Sequence, residues 1–329
     1  MNPANEPRSG NVSADLVSVI IPAYNAASFI KETLDSVFAQ TYPLYQVIVV
    51  NDGSPDTPAL EEALLPYMHR ATYIKQENRG PSAARNTGLR AARGSLVAFL
   101  DADDLWMPDY LEVQTGFLRE HPEYDLVYCN AQFFGDSIHD GTEYMALCRS
   151  EGEATPAALI TRRCHVFTSV TARKDKFIRV GYDETIRASE DFDCWLRFAA
   201  AGYRIGYHRK VLVHYRKHSA SVSTNSTRMA EYNIQVLTNA LSLWPQGSEE
   251  VRLLLEAKAQ RVAELETIRG KLALRSQDIP ASVAHLQAAN TYYKSVKKST
   301  VVFLLKLAPR LVGAVFRLRR LLFRAYRDE

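Results

Sequence analysis

The chain has 329 residues, 47% hydrophobic and 23% charged, with a net charge of +3. This is ordinary globular composition, which excludes collagen-like and low-complexity chains, and a core of this size stands without disulfide or metal staples. The charge is uneven: Lys294 to Glu329 hold ten Lys/Arg against two acids, a balance of +8 that leaves −5 for the rest, so the body is no nucleic-acid binder and only the tail suits an anionic surface.

In chain order, residues 1–14 lack an apolar run and read as a disordered lead-in, not a signal peptide. LVSVIIP (16–22) is a continuous apolar run stopped by Pro22, the pattern of a buried strand. SFIKETLDSVFAQ (28–40) spaces Phe29, Ile30, Leu34, Val37 and Phe38 as a helix does. QVIVVNDGS (46–54) is a second buried strand, 58–69 a helix, TYIKQ (72–76) a strand and 81–93 a helix. SLVAFL (95–100) is a further strand and DYLEVQTGFLREH (109–121) a helix. This alternation predicts a parallel sheet covered by helices on both faces. Beyond Pro122, DLVYCNAQFF (125–134) and HVFTSVTAR (165–173) read as strands, Glu190 to Ala201 as a helix, and YRIGYH (203–208) and VLVHYR (211–216) as two strands. Residues 228–298 carry only helical patterns, two or three helices in all. Cys129, Cys148, Cys164 and Cys194 form no CxxC and match no zinc spacing, so reduced, mostly buried thiols are expected.

Ligands of open parallel sheets bind beyond the carboxyl ends of the strands. There the first strand runs out into Pro22-Ala23-Tyr24-Asn25, the second into Asn51-Asp52-Gly53-Ser54, and the fourth into Asp101-Ala102-Asp103-Asp104, three polar clusters predicted to share one rim. Strand alternation would point Asp101 and Asp103 the same way. Two hard oxygen ligands at a crevice suit Mg²⁺ or Mn²⁺ bridging substrate phosphates. The competing reading makes Asp103 or Asp104 the cap of the helix starting near Pro108. No GxGxxG follows the first strand and no P-loop motif occurs, so dinucleotide and P-loop chemistry lose support.

The motifs VSVIIPAYN, VIVVNDGS, QENRGPSAARNTGL, VAFLDADDLWMPDYLE, SEDFDCWLRFAAAGYRI and VLVHYRKHSASVS, in this order over about 16–222, resemble glycosyltransferase family 2, inverting enzymes of GT-A fold that use nucleotide-sugar donors. The resemblance implies a Rossmann-like α/β domain over 15–225, with a mixed, mainly parallel sheet flanked by helices; a C-terminal helical extension over 226–298 follows. It implies that Pro22, Tyr24 and Asn25 line the base pocket and that Asp52 bonds the base or ribose. Asn78, Gly80, Arg85 and Asn86 would close the nucleotide side, Asp101 would meet ribose or metal, and Asp103 would ligate Mn²⁺ or Mg²⁺. Glu190 and Asp191 match the acidic pair, with Asp191 the base, and His218 stands where a residue touches metal or pyrophosphate. UDP is the commonest donor carrier, a hexosyl or N-acetylhexosaminyl group the expected cargo, and a glycan or lipid-linked glycan the expected acceptor. The QxxRW motif and membrane spans of processive members are missing, which points to a non-processive enzyme of polysaccharide biosynthesis. The rival from another class is a catalytically inactive nucleotide-sugar-binding or scaffold protein at the membrane. Segment 226–298, which the resemblance does not cover, has three readings: a wall of the acceptor site, a contact between copies in a homo-oligomer, or a packing appendage.

In residues 299–329, Lys306, Arg310, Arg317, Arg320 and Arg324 fall within a helical stripe about 80° wide, with Leu and Phe over much of the rest. Arg319 breaks the pattern and Pro309 divides it. This is the profile of a helix lying on an anionic membrane surface, and it predicts a cytoplasmic protein peripheral to the inner face of the cell membrane. Docking of this helix on the protein's own core is the competing reading.

Overall fold

The computed structural model describes residues 15–218 and 226–308. The lead-in over 1–14 and the tail from 309 onward lie outside the described residues. In chain order the elements are β1 (Val17–Ala23), α1 (Ile30–Phe38), β2 (Tyr45–Asp52), α2 (Thr57–Leu64), β3 (Ala71–Gln76), α3 (Pro81–Ala91), β4 (Leu96–Phe99), β5 (Leu105–Trp106), α4 (Tyr110–Glu120), β6 (Leu126–Gly135) and α5 (Tyr144–Leu147). There follow α6 (Pro156–Ile160), β7 (Val170–Arg173), α7 (Lys174–Val180), α8 (Glu190–Ala200), β8 (Ile205–Lys217), α9 (Ser226–Ala240), α10 (Glu249–Arg275), α11 (Ile279–Tyr293) and α12 (Val296–Leu307).

The chain forms two compact units that interleave in sequence. Among the described residues the first comprises 15–150, 165–184 and 201–217; the second comprises 151–164, 185–200, 218 and 226–308.

The first unit holds one eight-stranded sheet in the order β3-β2-β1-β4-β7-β6-β8-β5. β1, β2, β3 and β4 are mutually parallel. β7 runs antiparallel to both β4 and β6, β8 is parallel to β6, and β5 is antiparallel to β8. The sheet is therefore mixed and mainly parallel, as a GT-A architecture requires. Central β1 buries every residue except half-buried Pro22, as a strand covered on both faces must. Edge strand β3 buries no residue fully and exposes Thr72 and Lys75. Gly88 explains itself by packing: a Cβ there would lie 2.3 Å from Ile20 Cγ2, so its absence lets α3 approach β1 closely.

Four expectations need correction. The strand read over 165–173 begins only at Val170. Val166 and Phe167 are buried in a loop whose His165 amide donates to Arg149 O, so apolar burial there carries no ladder. The strands read over 203–208 and 211–216 are one strand, β8. Exposed Arg209 and Lys210 imitate a turn where the register with β6 shifts. β4 ends at Phe99, so alternation does not govern Asp101 and Asp103; they sit in a turn closed by the Asp104 amide donating to Asp101 O at 3.1 Å. Neither Asp103 nor Asp104 caps α4, which starts at Tyr110 with Asp109 in the capping position and no side-chain cap bond.

The second unit is helical in its described residues. α8 turns Phe192, Cys194, Trp195, Leu196 and Phe198 inward, and the Arg162 guanidinium lies 3.7 Å from the Phe192 ring centroid. Long α10 packs on α6, α9 and α11. Gly270 lets α11 approach it, since a Cβ would sit 2.8 Å from Leu286 Cγ, and Ser282 Oγ donates to Gly270 O at 2.9 Å. α12 docks on this pair through Val302 and Leu305, which cluster with Leu274 and Leu286. It begins at Val296, three residues before the break expected at 299.

Candidate functional site

β1 lies between β2 and β4, all parallel, so the carboxyl ends of three neighbouring strands open on one rim of the first unit. Hydrogen bonds tie the clusters together. The Asn25 amide, in the left-handed region at φ 53°, donates to Ser54 Oγ at 2.6 Å, and the Ala27 amide donates to Asp56 Oδ2 at 2.8 Å. Thr33 Oγ1 donates to Ala102 O at 2.8 Å. Pro22 is half-buried at this rim, and Tyr24 and Asn25 are exposed on it, with Tyr24 54% accessible.

Asp52 is buried, and its carboxylate accepts three hydrogen bonds: from Gln76 Nε2 (2.7 Å), from the Arg79 amide (3.0 Å) and from the Gly80 amide (2.7 Å). It therefore brackets the loop that carries exposed Asn78 and buried Gly80 into α3. Gly53 fits the same contact: φ is +60°, and a Cβ would stand 2.5 Å from the Asn78 amide nitrogen. Such a carboxylate has about four acceptor positions, so little capacity remains for a ligand.

Arg85, one turn into α3, is buried. Its Nη2 donates to Asp101 Oδ1 at 2.6 Å, and its guanidinium carbon lies 5.3 Å from the Tyr182 ring centroid. Asn86 braces the segment after α7: its Nδ2 donates to Tyr182 O (2.8 Å) and to Glu184 Oε1 (3.1 Å), and its Oδ1 accepts from the Tyr182 amide (2.9 Å). Glu184 also pairs with Arg79.

The Asp101–Asp104 turn is held by a residue that local sequence reasoning passed over. Arg216 stands near the end of β8. In the structure its amide donates to Asp104 Oδ1 at 2.9 Å, its Nε donates to Asp103 O at 2.7 Å, and its Nη2 pairs with Glu32 at 2.6 Å. The partners are over a hundred residues away in the chain, so no spacing rule announces them. Asp104 is fully buried, and its Oδ2 has no hydrogen-bond partner. Burial, with Asp103 and Asp101 beside it, pushes its carboxyl well above the usual range, against the Arg216 amide and Lys217. Burial likewise lowers the Lys217 ammonium, while Asp104 and Asp103 oppose that shift.

Asp101 and Asp103 are half-buried at this rim. Among the described residues no three His, Cys, Asp or Glu side chains are grouped to hold a metal. One or two carboxylates still fit Mg²⁺ or Mn²⁺, which commonly complete their shell with water and substrate phosphate oxygens. The orphaned Asp104 Oδ2 behind them marks an acidic site whose protein partners are incomplete.

Glu190, Asp191 and His218 belong to the second unit. Glu190 and Asp191 open α8 with Asp193, where carboxylates complement the helix N-terminus. Asp191 Oδ1 accepts from the Phe192 amide at 2.7 Å, and Asp193, buried, pairs with Arg197 at 2.7 Å. Glu190, Asp191 and His218 are half-buried.

Residues 18–181 match the profile described as Glycosyl transferase family 2. An uncharacterized glycosyltransferase of Rickettsia prowazekii is 30% identical over 225 residues, which is 67% of this chain and 70% of the relative. A putative teichuronic acid biosynthesis glycosyltransferase of Bacillus subtilis, TuaG, is 31% identical over 222 residues, 66% of this chain and 84% of the relative. Among solved structures, the mannosyltransferase PcManGT from Pyrobaculum calidifontis, in complex with GDP-Man and Mn²⁺, aligns with a TM-score of 0.61 at 23% identity, covering 93% of this chain and 88% of that one. TarS residues 1–349 from S. aureus, in complex with UDP-GlcNAc, align with a TM-score of 0.58 at 20% identity, covering 92% of each chain.

Proposed function

Since the chain belongs to glycosyl transferase family 2, we propose that it moves a hexosyl or N-acetylhexosaminyl group from a nucleotide-sugar donor, a UDP-sugar foremost, to a hydroxyl acceptor, with inversion and without processivity. The observation that carries the reading is the shared rim at the carboxyl ends of β1, β2 and β4, where Asp101 and Asp103 stand beside Arg85 and Arg216. Solved structures of the same fold are complexes with GDP-Man or UDP-GlcNAc, which supports the donor class. A relative named for teichuronic acid biosynthesis supports a cell-surface glycan or its lipid-linked precursor as acceptor. The same reading sets the protein peripherally at the inner face of the cell membrane; among the described residues no helix is long and apolar enough to cross a membrane.

In the reaction, the acceptor oxygen bonds to the anomeric carbon from the face opposite the leaving group. The bond from that carbon to the distal phosphate oxygen breaks, and the nucleoside diphosphate departs with the electron pair. Asp191 takes the hydroxyl proton, with Glu190 beside it, a contribution worth about 10²–10⁴-fold for one positioned carboxylate. Pro22, Tyr24 and Asn25 offer the base a rim surface. Asp52 acts chiefly by fixing the loop that bears Asn78 and Gly80, and offers base or ribose its remaining acceptor position. Asn86 holds the wall of the cleft. Asp103, with Asp101, would hold Mn²⁺ or Mg²⁺, and His218 would face the pyrophosphate. When bound, such a cation neutralises the departing diphosphate as a Lewis acid. Arg216 keeps Asp103 in position.

Thermal-shift screening of nucleotide sugars, with and without Mn²⁺, tests the reading. A donor at about a hundred times its Kd adds about 2.7 kcal/mol, a rise of roughly 4 °C for a chain of this length. A panel in which no nucleotide sugar stabilises the protein, with or without metal, would overturn it.

A further inference from the structure

α12 presents an apolar face that no described residue of its own unit covers. Val302 and Leu305 are buried against Leu274 and Leu286. On the other side Val296 is 81% exposed, Phe303 62%, Leu304 41% and Leu307 71%. At 100° per residue these four fall within about 100° of one another, a continuous stripe along three turns. Lys297 and Lys306, both exposed, flank it on either side. A helix that has already docked by one face does not need a second apolar face for its own stability. An exposed apolar stripe edged with charge marks an interaction surface.

We infer that this stripe is a docking surface for an anionic lipid bilayer, with Phe303, Leu304 and Leu307 entering the acyl boundary and the lysines meeting the headgroups. Charge decides between occupants. The sequence that follows α12 carries Arg310, Arg317, Arg319, Arg320, Arg324 and Arg327 against only Asp328 and Glu329, interleaved with Leu, Val and Phe. A second copy of this chain brings the same positive charge to the contact and is repelled, whereas an anionic surface attracts every cation in the segment. Apolar insertion and a polybasic segment together are the two signals that stable surface attachment needs. The inference does not rest on the proposed sugar transfer: donor-induced thermal stabilisation and vesicle binding are separate readouts on the same preparation.

The test is co-sedimentation of the full chain with phosphatidylcholine vesicles, and with the same vesicles containing about 30 mol% phosphatidylglycerol. Wild type is expected to pellet with the anionic vesicles, to stay in solution with the neutral ones, and to be released as salt is raised to about 0.5 M. The Phe303→Ser/Leu307→Ser double variant changes only exposed side chains, so its thermal midpoint stays near that of wild type. Its vesicle affinity is expected to fall about tenfold or more. Val296→Ser/Leu304→Ser serves as the second variant, with the same expectation. Wild type remaining in solution with anionic vesicles overturns the inference. So does either folded variant pelleting like wild type, which would leave the stripe idle. Sedimentation equilibrium showing a dimer that the double variant dissociates, with vesicles ignored, would assign the stripe to a second copy instead.

Discussion

Asp52→Asn isolates the device that builds the rim. In the wild type one buried carboxylate receives the Gln76 side chain and the amides of Arg79 and Gly80 at 2.7, 3.0 and 2.7 Å. The first two donors meet Oδ1 and the third meets Oδ2. An asparagine offers one oxygen. With it toward Gln76 and Arg79, its amino group confronts the Gly80 amide, a donor against a donor; turned the other way, two bonds are lost. A hydrogen bond to a charged acceptor contributes about 1.5–3 kcal/mol net, and a buried donor left without a partner costs about 1–3 kcal/mol. The substitution should therefore cost about 2–4 kcal/mol. Gly80 is also the residue from which α3 springs, and α3 carries the Arg85 that holds Asp101. Nucleotide affinity should thus fall with stability. Urea denaturation of both proteins reads the first effect as a lower midpoint at unchanged m-value, and calorimetry reads the second. A variant within about 0.5 kcal/mol of wild type would refute the bracket, since surface substitutions already span that range.

Three further outcomes are expected. Asp191→Asn should keep donor affinity while turnover falls about 10²-fold or more; single-turnover kinetics within about threefold of wild type would remove Asp191 as the base. Asp103→Ala should abolish the Mn²⁺-dependent part of donor binding in calorimetry; an unchanged isotherm would separate Asp103 from the metal. His208 is half-buried, with Nε2 2.9 Å from Gln114 Oε1 and Nδ1 without a partner, and burial first, then Lys210, presses it down to about 4 from its ordinary 6.5. The unfolded chain therefore takes the proton first. The stabilisation is complete above about pH 6.5 and is lost as the pH falls toward about 4, by up to roughly 2–3 kcal/mol. His208→Gln should flatten that portion of a stability-against-pH profile; parallel profiles for the two proteins would contradict the assignment.

What the sequence disclosed follows from how locally each feature is encoded. β1, β2 and β4 were legible because unbroken apolar runs end in polar turns, and parallel neighbours then bring those turns together. The short antiparallel insertion was poorly legible. β7 makes only three ladder pairs with each neighbour, and the buried Val166 and Phe167 before it look like strand while lying in a loop. β5, two residues long, follows the acidic turn directly and is too short to show a pattern of its own. Arg85 was placed at the site only by family likeness; its burial and its pairing with Asp101 depend on α3 lying across β1, which no local pattern states. Arg216 was out of reach for the same reason, since its hydrogen-bond partners Asp104, Asp103 and Glu32 lie over a hundred residues earlier in the chain. Asp52 was read as a ligand contact, but folding fills most of its acceptor capacity.

The central claim is that acidic residues of the β4 turn hold the cation and diphosphate of a nucleotide sugar. Its most direct test is a crystal structure with a nucleoside diphosphate and Mn²⁺, with anomalous scattering used to locate the metal. The account predicts a manganese peak bonded to Asp103, with diphosphate oxygens completing its shell and the base over Tyr24. A manganese peak elsewhere, or a nucleotide seated away from the carboxyl ends of β1, β2 and β4, would contradict it.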